Sequence, residues 1–215
     1  TDLTALNIKM KLTTTILLLT LTSFIYGQLT IAKIDSTKLP KEIKYSGHII
    51  NSIKWTDNLG INYLLATETG EYYSKDKEGY DFKNAALYVY HLIFKADSLK
   101  LLWKIYDFNK ECGFDLYVKF IEKAFKVTDL DKNGIAEVWV MYENQCTSDV
   151  SPVPTKIIMY EGNKKYAIRG ESKVQISEKE FVGGQYTLDD NFKTGNSLFR
   201  QFAIDLWEKN KHKKW

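Results

Sequence analysis

The sequence has few of the residues around which catalytic and metal sites are most often built. Its three histidines, His48, His91 and His212, stand far apart, and none forms a zinc-binding pair one helical turn apart. No serine lies in a nucleophile-elbow motif, and no glycine-rich phosphate loop is present. His91 alternates with apolar residues, which predicts a hydrogen-bonded core histidine rather than a catalytic one. Paired carboxylates for glycoside cleavage need only proximity in space, so a small hydrolase of cell-surface polymers stays open as the alternative function.

Proline is scarce, and neither sign of charge dominates. The chain has 3 prolines, 30 basic and 27 acidic residues, and a net charge of +3. A nucleic-acid-binding surface must neutralise several phosphates, so no nucleic-acid partner is expected. The lysines at 209–214 are better explained as cations at the end of a helix. With no proline-rich linker to divide it, the segment 28–215 is predicted to be a single β-rich domain.

One long apolar run occurs near the start of the chain. Met10 and Lys11 precede a leucine-rich stretch that ends at Gly27. A basic start, an apolar run and a small final residue, in this order, are typical of a secretory signal peptide. The run is diluted by threonines, whereas a transmembrane helix needs about 20 apolar residues. We therefore predict a cleaved signal peptide at 10–27, preceded by upstream residues 1–9. A membrane anchor and a buried helix are the alternatives.

An exported chain enters an oxidising compartment, where an even number of cysteines usually indicates a disulfide. The two cysteines are Cys112 and Cys146, and a bond between them is predicted, with two free buried thiols as the alternative. No cysteine lies near Gly27 to carry a lipid, so the mature protein is expected to be periplasmic or secreted, without a membrane span.

Aromatic residues make up 14% of the chain and favour strands. Runs rich in β-forming residues, separated by turn-forming residues, predict hairpins at 47–67, 87–106 and 155–169. The apolar run 138–142 predicts a central strand covered on both faces. The segment 116–127 is ambiguous between helix and strand, while 74–84 and 144–154 are predicted as exposed loops.

A final amphipathic helix is predicted from apolar residues at helical spacing between Leu198 and Trp207, with Thr194 or Asn196 as N-cap. The predicted fold is thus mainly β, a meander of antiparallel hairpins that forms a twisted sheet or a sandwich, with one C-terminal amphipathic helix. The stretch 53–61 also resembles 125–135, which suggests a duplicated strand, acidic turn and strand.

The strongest motif is the acidic run 129–137. Oxygen-bearing side chains at alternate positions of a tight turn can converge on one hard cation, and a glycine permits the turn. The run begins like an EF-hand loop, but position twelve of that loop falls on Val140 instead of a glutamate. The alternative is that these residues only stabilise a turn between two strands.

The run instead resembles the calcium-binding hairpin loop of integrin-type FG-GAP repeats. That resemblance implies a calcium ion held by the side chains of Asp129, Asp131, Asn133 and Glu137 and by the backbone carbonyl of Ile135. Glu137 departs from the family pattern, which usually has aspartate at this position. The resemblance covers only this loop and its strands, and the earlier turn at 57–60 lacks the ligand set.

A second resemblance extends from Asp129 to Gly170. It includes the acidic run, the segment 146–152 and the hairpin residues 158–162 and 165–170, and it is to exported bacterial proteins labelled as surface-polysaccharide biosynthesis proteins. The label implies a pathway without a catalytic residue or substrate. The predicted function is an exported, non-enzymatic module that binds a glycan or an envelope protein and uses the acidic hairpin as a calcium site.

Overall fold

The computed structural model describes residues 29–213. The predicted signal peptide at 10–27 and the upstream residues 1–9 lie outside this range and stay predictions. Antiparallel strands form most of the described chain, which confirms the mainly β prediction. The first six strands are β1 Thr30–Lys33, β2 His48–Asp57, β3 Gly60–Glu68, β4 Tyr72–Lys75, β5 Asp81–Lys95 and β6 Ser98–Cys112.

The second half of the chain adds further strands and two helices near its end. The further strands are β7 Asp115–Phe120, β8 Lys126–Thr128, β9 Glu137–Thr147, β10 Pro154–Glu161, β11 Lys164–Glu171, β12 Lys173–Gln175, β13 Phe181–Gly183, β14 Tyr186–Leu188 and β15 His212–Lys213. The helices are α1 Asp190–Thr194 and α2 Ser197–Asn210, and two 3-10 turns occupy Ser36–Lys38 and Glu122–Ala124.

The first sheet has the order β1-β2-β3-β5, with β4 beside the start of β5 and β6 along its other side. The predicted hairpins β2–β3 and β5–β6 are confirmed. Ala96 and Asp97 form the tight turn of the second hairpin, with φ of 50° and 55°. The prediction of a loop over 74–84 is wrong, because β4 pairs with β5 from Asp81 to Asn84. All four β4 residues are exposed, so backbone pairing rather than apolar burial forms this strand.

The second sheet has the order β14-β11-β10-β9-β7, with β8 also paired to β9. The ambiguous segment 116–127 is therefore two short strands joined by a 3-10 turn. The predicted loop at 144–154 is much shorter than expected, because β9 continues to Thr147 and β10 begins at Pro154. Its polar residues remain partly exposed near the sheet edge, and this hid the strand pattern.

The strand β9 is buried on both faces, as predicted for a central strand. Val138, Val140 and Tyr142 pack between the two sheets, where they meet Trp55, Leu87 and Ile105 of the first sheet. Trp139 and Met141 point the opposite way and pack under the helices. The two sheets thus form a sandwich, and helical residues cover the outer face of the second sheet.

The predicted C-terminal helix is α2, and its N-cap is Asn196, whose side chain accepts a hydrogen bond from Leu198 N. Phe199, Ala203, Leu206 and Trp207 form its buried side, which packs against the second sheet.

The lysines at the end of the chain do not all lie at the end of the helix. Lys213 lies in β15 and pairs with Glu143 at 2.7 Å, so it is not a free helix-end cation. Within residues 29–213, no helix combines the length and apolarity needed to cross a membrane.

The predicted disulfide between Cys112 and Cys146 is present. Cys112 ends β6 in the first sheet and Cys146 lies in β9 of the second, so the bond joins the two layers of the sandwich. It closes a loop with a sequence separation of 34 residues. A cross-link of this span stabilises mainly by restricting the unfolded chain.

Reduction of this bond should destabilise the protein by roughly 4 kcal/mol, the amount expected for a loop of this length. Urea unfolding with and without dithiothreitol measures the change in the free energy of unfolding. A Cys112→Ala/Cys146→Ala double variant should unfold identically in both buffers. Equal midpoints for the oxidised and fully reduced wild-type protein would contradict a stabilising role.

Candidate metal centre

The acidic run forms the connection between the paired strands β8 and β9. Thr128 and Glu137 are opposite one another at the mouth of this connection, so the chain from Asp129 to Ala136 must reverse direction. Lys132 and Gly134 adopt positive φ values of 58° and 79°, which make the turn tight. Asn133 stabilises it by accepting a hydrogen bond from Ile135 N at 2.7 Å.

Three carboxylates converge at this turn. Ligand oxygens of Asp129, Asp131 and Glu137 all lie within 4.8 Å of one another. One oxygen of Asp129 accepts a hydrogen bond from Gly134 N at 3.2 Å. Its other oxygen, Oδ1, is buried and has no hydrogen-bond partner. A buried carboxylate oxygen without a partner is costly, so this atom has the environment expected of a cation ligand.

Glu137 is fully buried at the start of β9, with a relative exposure of 0%. Its oxygens accept hydrogen bonds from the Thr128 hydroxyl at 2.6 Å and from Leu130 N at 3.0 Å. Burial raises the pKa of Glu137 to about 7, against the effect of these hydrogen bonds, and the neighbouring Asp131 and Asp129 raise it further. Ionising this side chain therefore costs free energy that a bound cation would offset.

A fourth acidic side chain adds to the excess of negative charge. Glu161 in β10 is directly opposite Glu137 in β9, and like charges in this position destabilise a sheet. Among residues 29–213, no lysine or arginine pairs within 4.0 Å with any of these four carboxylates. The sequence reading missed Glu161, because only the pairing of β9 with β10 places it at the turn.

The remaining two predicted ligands lie in the turn but make other contacts. The Asn133 amide nitrogen donates to Asp131 at 3.2 Å and to Glu161 at 2.6 Å. The backbone N–H of Ile135 is held by the Asn133 side-chain oxygen. The structure thus brings together Asp129, Asp131 and Glu137, with Asn133 linking the cluster to Glu161.

The turn between β2 and β3 supports the acidic turn from the opposite sheet. Asn58 N donates to Gly134 O at 2.8 Å, and the Asn58 amide donates to Asn133 O at 3.1 Å. The two stretches with similar sequences therefore pack against each other. The β2–β3 turn does not contribute ligands and instead holds the backbone of the acidic turn.

Asp57 is the centre of this support. Its carboxylate accepts four hydrogen bonds at 2.9 to 3.1 Å, from Trp55 Nε1, Leu59 N, Asn62 Nδ2 and Ala136 N. The bond to Ala136 joins the first sheet to the residue before Glu137. A turn signal at 57–60 was visible in the sequence, but its contact with residue 136 depends on the packing of the two sheets.

His91 extends the network into the core. It is 2% exposed, lies between the rings of Trp55 and Trp103, and its Nε2 is 2.9 Å from Asn62 Oδ1. Since the Asn62 amide nitrogen donates to Asp57 and Gly60, its oxygen is the acceptor for the His91 N–H. The prediction of a hydrogen-bonded core histidine is confirmed.

Comparison of the chain with protein-family models, curated proteins and solved structures finds no match. The resemblances to the FG-GAP loop and to the surface-polysaccharide proteins therefore stay predictions. The candidate metal centre is therefore defined by the three converging carboxylates and the unpartnered Asp129 Oδ1.

Replacing Asp57 with asparagine should destabilise the protein by about 2–4 kcal/mol, because an amide nitrogen would replace an oxygen that accepts two hydrogen bonds and would then face both donors. Urea unfolding at neutral pH gives the difference in free energy. Asp97→Asn is the matched control, since Asp97 is exposed in a tight turn with φ of 55°, which asparagine tolerates. Equal losses in both variants would contradict the supporting role of Asp57.

Burial lowers the pKa of His91 to about 4 from its ordinary value near 6.5. In the unfolded chain His91 takes up its proton first as the pH falls, so its contribution is complete above pH 6.5 and is lost towards pH 4. Glu137 acts in the opposite direction, because its raised pKa makes stability fall as pH rises from 4.5 to about 7.

A comparison of wild type with His91→Gln separates the two effects, because Glu137 is present in both proteins. The stability advantage of wild type should grow by up to roughly 3 kcal/mol between pH 4 and pH 7. Denaturant unfolding at several pH values measures it. A difference that does not vary with pH would show that His91 does not titrate as its burial requires.

Proposed function

We propose that this protein is an exported binding module in which a calcium ion at the acidic turn stabilises the junction between the two sheets. The observation that carries the calcium proposal is the buried, unpartnered Oδ1 of Asp129 within a cluster of three carboxylates. Calcium prefers oxygen ligands, and an exported protein meets calcium at concentrations that suit sites of modest affinity.

The residues present fit such an ion. Asp129, Asp131 and Glu137 would supply carboxylate oxygens, and Asn133 and the Ile135 carbonyl would complete the set that the FG-GAP resemblance implies. The ion would supply positive charge between Glu137 and the carboxylates around it. Because Asp57 and Asn58 hold the same turn from the first sheet, its stabilisation would extend to the contact between the sheets.

Export is supported by the Cys112–Cys146 disulfide, since such bonds persist in oxidising compartments. The proposed partner is a glycan or an envelope protein, with a link to surface polysaccharide suggested by the second resemblance. The hydrolase alternative has less support. Glu137 has a pKa suited to a general acid, but it is fully buried and bonded to Thr128 and Leu130, where a polymer substrate would not reach it.

Added calcium should raise the melting temperature by several degrees, because a ligand at 100 times its dissociation constant stabilises by about 2.7 kcal/mol. Differential scanning calorimetry in EDTA, in magnesium and in millimolar calcium measures the shift. Asp131→Asn should abolish most of the rise, since it removes one carboxylate from the cluster and preserves the shape of the side chain.

The control for this experiment is Asp97→Asn, which removes one exposed negative charge outside the acidic cluster and should retain the full calcium response. An unchanged wild-type melting temperature in calcium would remove the ion from the proposal. An equal response to magnesium would argue against a site selective for calcium.

A further inference from the structure

A second surface of the sandwich has the features of a binding site. The strand β6 forms one edge of the first sheet and lies over β9 and β10 of the second. The strands β11 and β14 follow β10 in the second sheet, and the first sheet covers β11 only in part, at Ala167. Their side chains on the inner face, which would be buried in a fully covered sandwich, are exposed at Lys165, Arg169 and Thr187.

The strand registers place Lys156, Arg169 and Thr187 in one row across three strands, while Lys165 lies further along β11 on the same face. Arg169 is opposite Lys156 on one side and Thr187 on the other. Lys165 shares a strand face with Ala167 and Arg169, and Ala167 packs into the core between the sheets. We call this exposed part of the inner face of the second sheet the β11 groove. Three cations, Lys156, Lys165 and Arg169, therefore lie on the face that the second sheet turns towards the first.

Only one of these cations has a close acidic partner. The Lys156 ammonium pairs with Asp107 of β6, which also accepts hydrogen bonds from Tyr142, Asn144 and its neighbour Phe108 N. Within residues 29–213, no carboxylate lies within 4.0 Å of the Lys165 ammonium or the Arg169 guanidinium. Neither of these two cations therefore forms a close ion pair within this part of the chain.

The electrostatics at Lys165 agree with this arrangement. Desolvation lowers the pKa of Lys165, and repulsion from Arg169 and Lys156 lowers it further. The carboxylates of Asp189 and Asp107 act in the opposite direction, but each has a smaller effect than either cation. The balance of nearby charge is therefore positive.

The groove also contains groups suited to hydroxyl-rich ligands. A cleft of about 410 Å³ adjoins Arg169, which is within the range of small-molecule sites. Gln185, Thr187 and Glu171 line it, and the Gln185 amide donates to Glu171 at 2.7 Å. Amide, hydroxyl and carboxylate groups of this kind can exchange hydrogen bonds with sugar hydroxyls. The volume exceeds the needs of a single inorganic ion.

We propose that the β11 groove binds an anionic saccharide, with Arg169 contacting its carboxylate or phosphate and with Gln185 and Thr187 contacting hydroxyls. Lys165, further along the same strand face, adds positive charge beside this cleft. The inference depends on the proposed binding role but not on the calcium site. Arginine is the residue best shaped for this task, because its planar guanidinium can bond two oxygens of one oxyanion.

Isothermal titration of the full chain with trigalacturonic acid, glucose 6-phosphate and neutral maltotriose tests the assignment. We expect binding of at least one charged saccharide, weakened by added salt, and much weaker binding of maltotriose. The two charged probes distinguish a carboxylate from a phosphate ligand. Arg169→Gln should weaken binding at least about tenfold, the loss expected for one charged hydrogen bond.

The matched control is Lys164→Gln, which removes the same charge from the same strand. The Lys164 ammonium lies over the Tyr166 ring on the opposite face, so this variant should bind normally. Equal losses in both variants, equal affinity for maltotriose, or no binding of either charged probe would overturn the proposal.

Repeating the titrations in EDTA separates this site from the acidic turn, since the groove should bind with or without calcium. A saccharide that binds wild type and Arg169→Gln equally would support the proposed binding role and reject the β11 groove as its site. The melting temperatures of both variants confirm that they are folded.

Discussion

Burial of β9 on both faces constrains the rest of the structure. Val138 and Val140 pack into the sandwich while Trp139 and Met141 pack under the helices, so the first seven residues of this strand are buried on both faces. Glu137 begins the same strand and is therefore buried with it. A buried carboxylate must find hydrogen bonds or positive charge, and the Thr128 hydroxyl, the Leu130 N–H and the raised pKa are the local responses to that requirement.

This requirement explains why so many elements meet at the acidic turn. Asp57 and Asn58 reach it from the first sheet, Glu161 from β10 and Asn196 from the N-cap of α2, whose amide lies 3.4 Å from Asp131. The turn is thus a junction of both sheets and the helix layer. Positive charge placed there would reduce the repulsion among the clustered carboxylates, whereas turn formation alone leaves Asp129 Oδ1 without a partner.

Much of the fold could be predicted because its signals are local. The turn at Ala96, the two-sided apolar pattern of Val138–Tyr142 and the spacing of Phe199, Ala203 and Leu206 each depend on neighbours in sequence. The three clustered carboxylates were predicted for the same reason. Asp57 and Glu161 were missed, since their roles depend on pairing between distant segments. The strand β4 was missed because its exposed residues carry no apolar alternation.

The β11 groove follows from the unequal extent of the two sheets. The first sheet ends at β6, whereas the second continues past it through β11 and β14, so its inner face changes from apolar to charged within β11 itself. Ala167 is buried in the core, while Lys165 and Arg169, two residues away on the same face, are exposed. A residue pattern of this kind looks like irregular alternation in the sequence. In three dimensions it marks where one sheet stops covering the other, and in the described part of the chain no carboxylate lies within 4.0 Å of the Lys165 or Arg169 side-chain nitrogens.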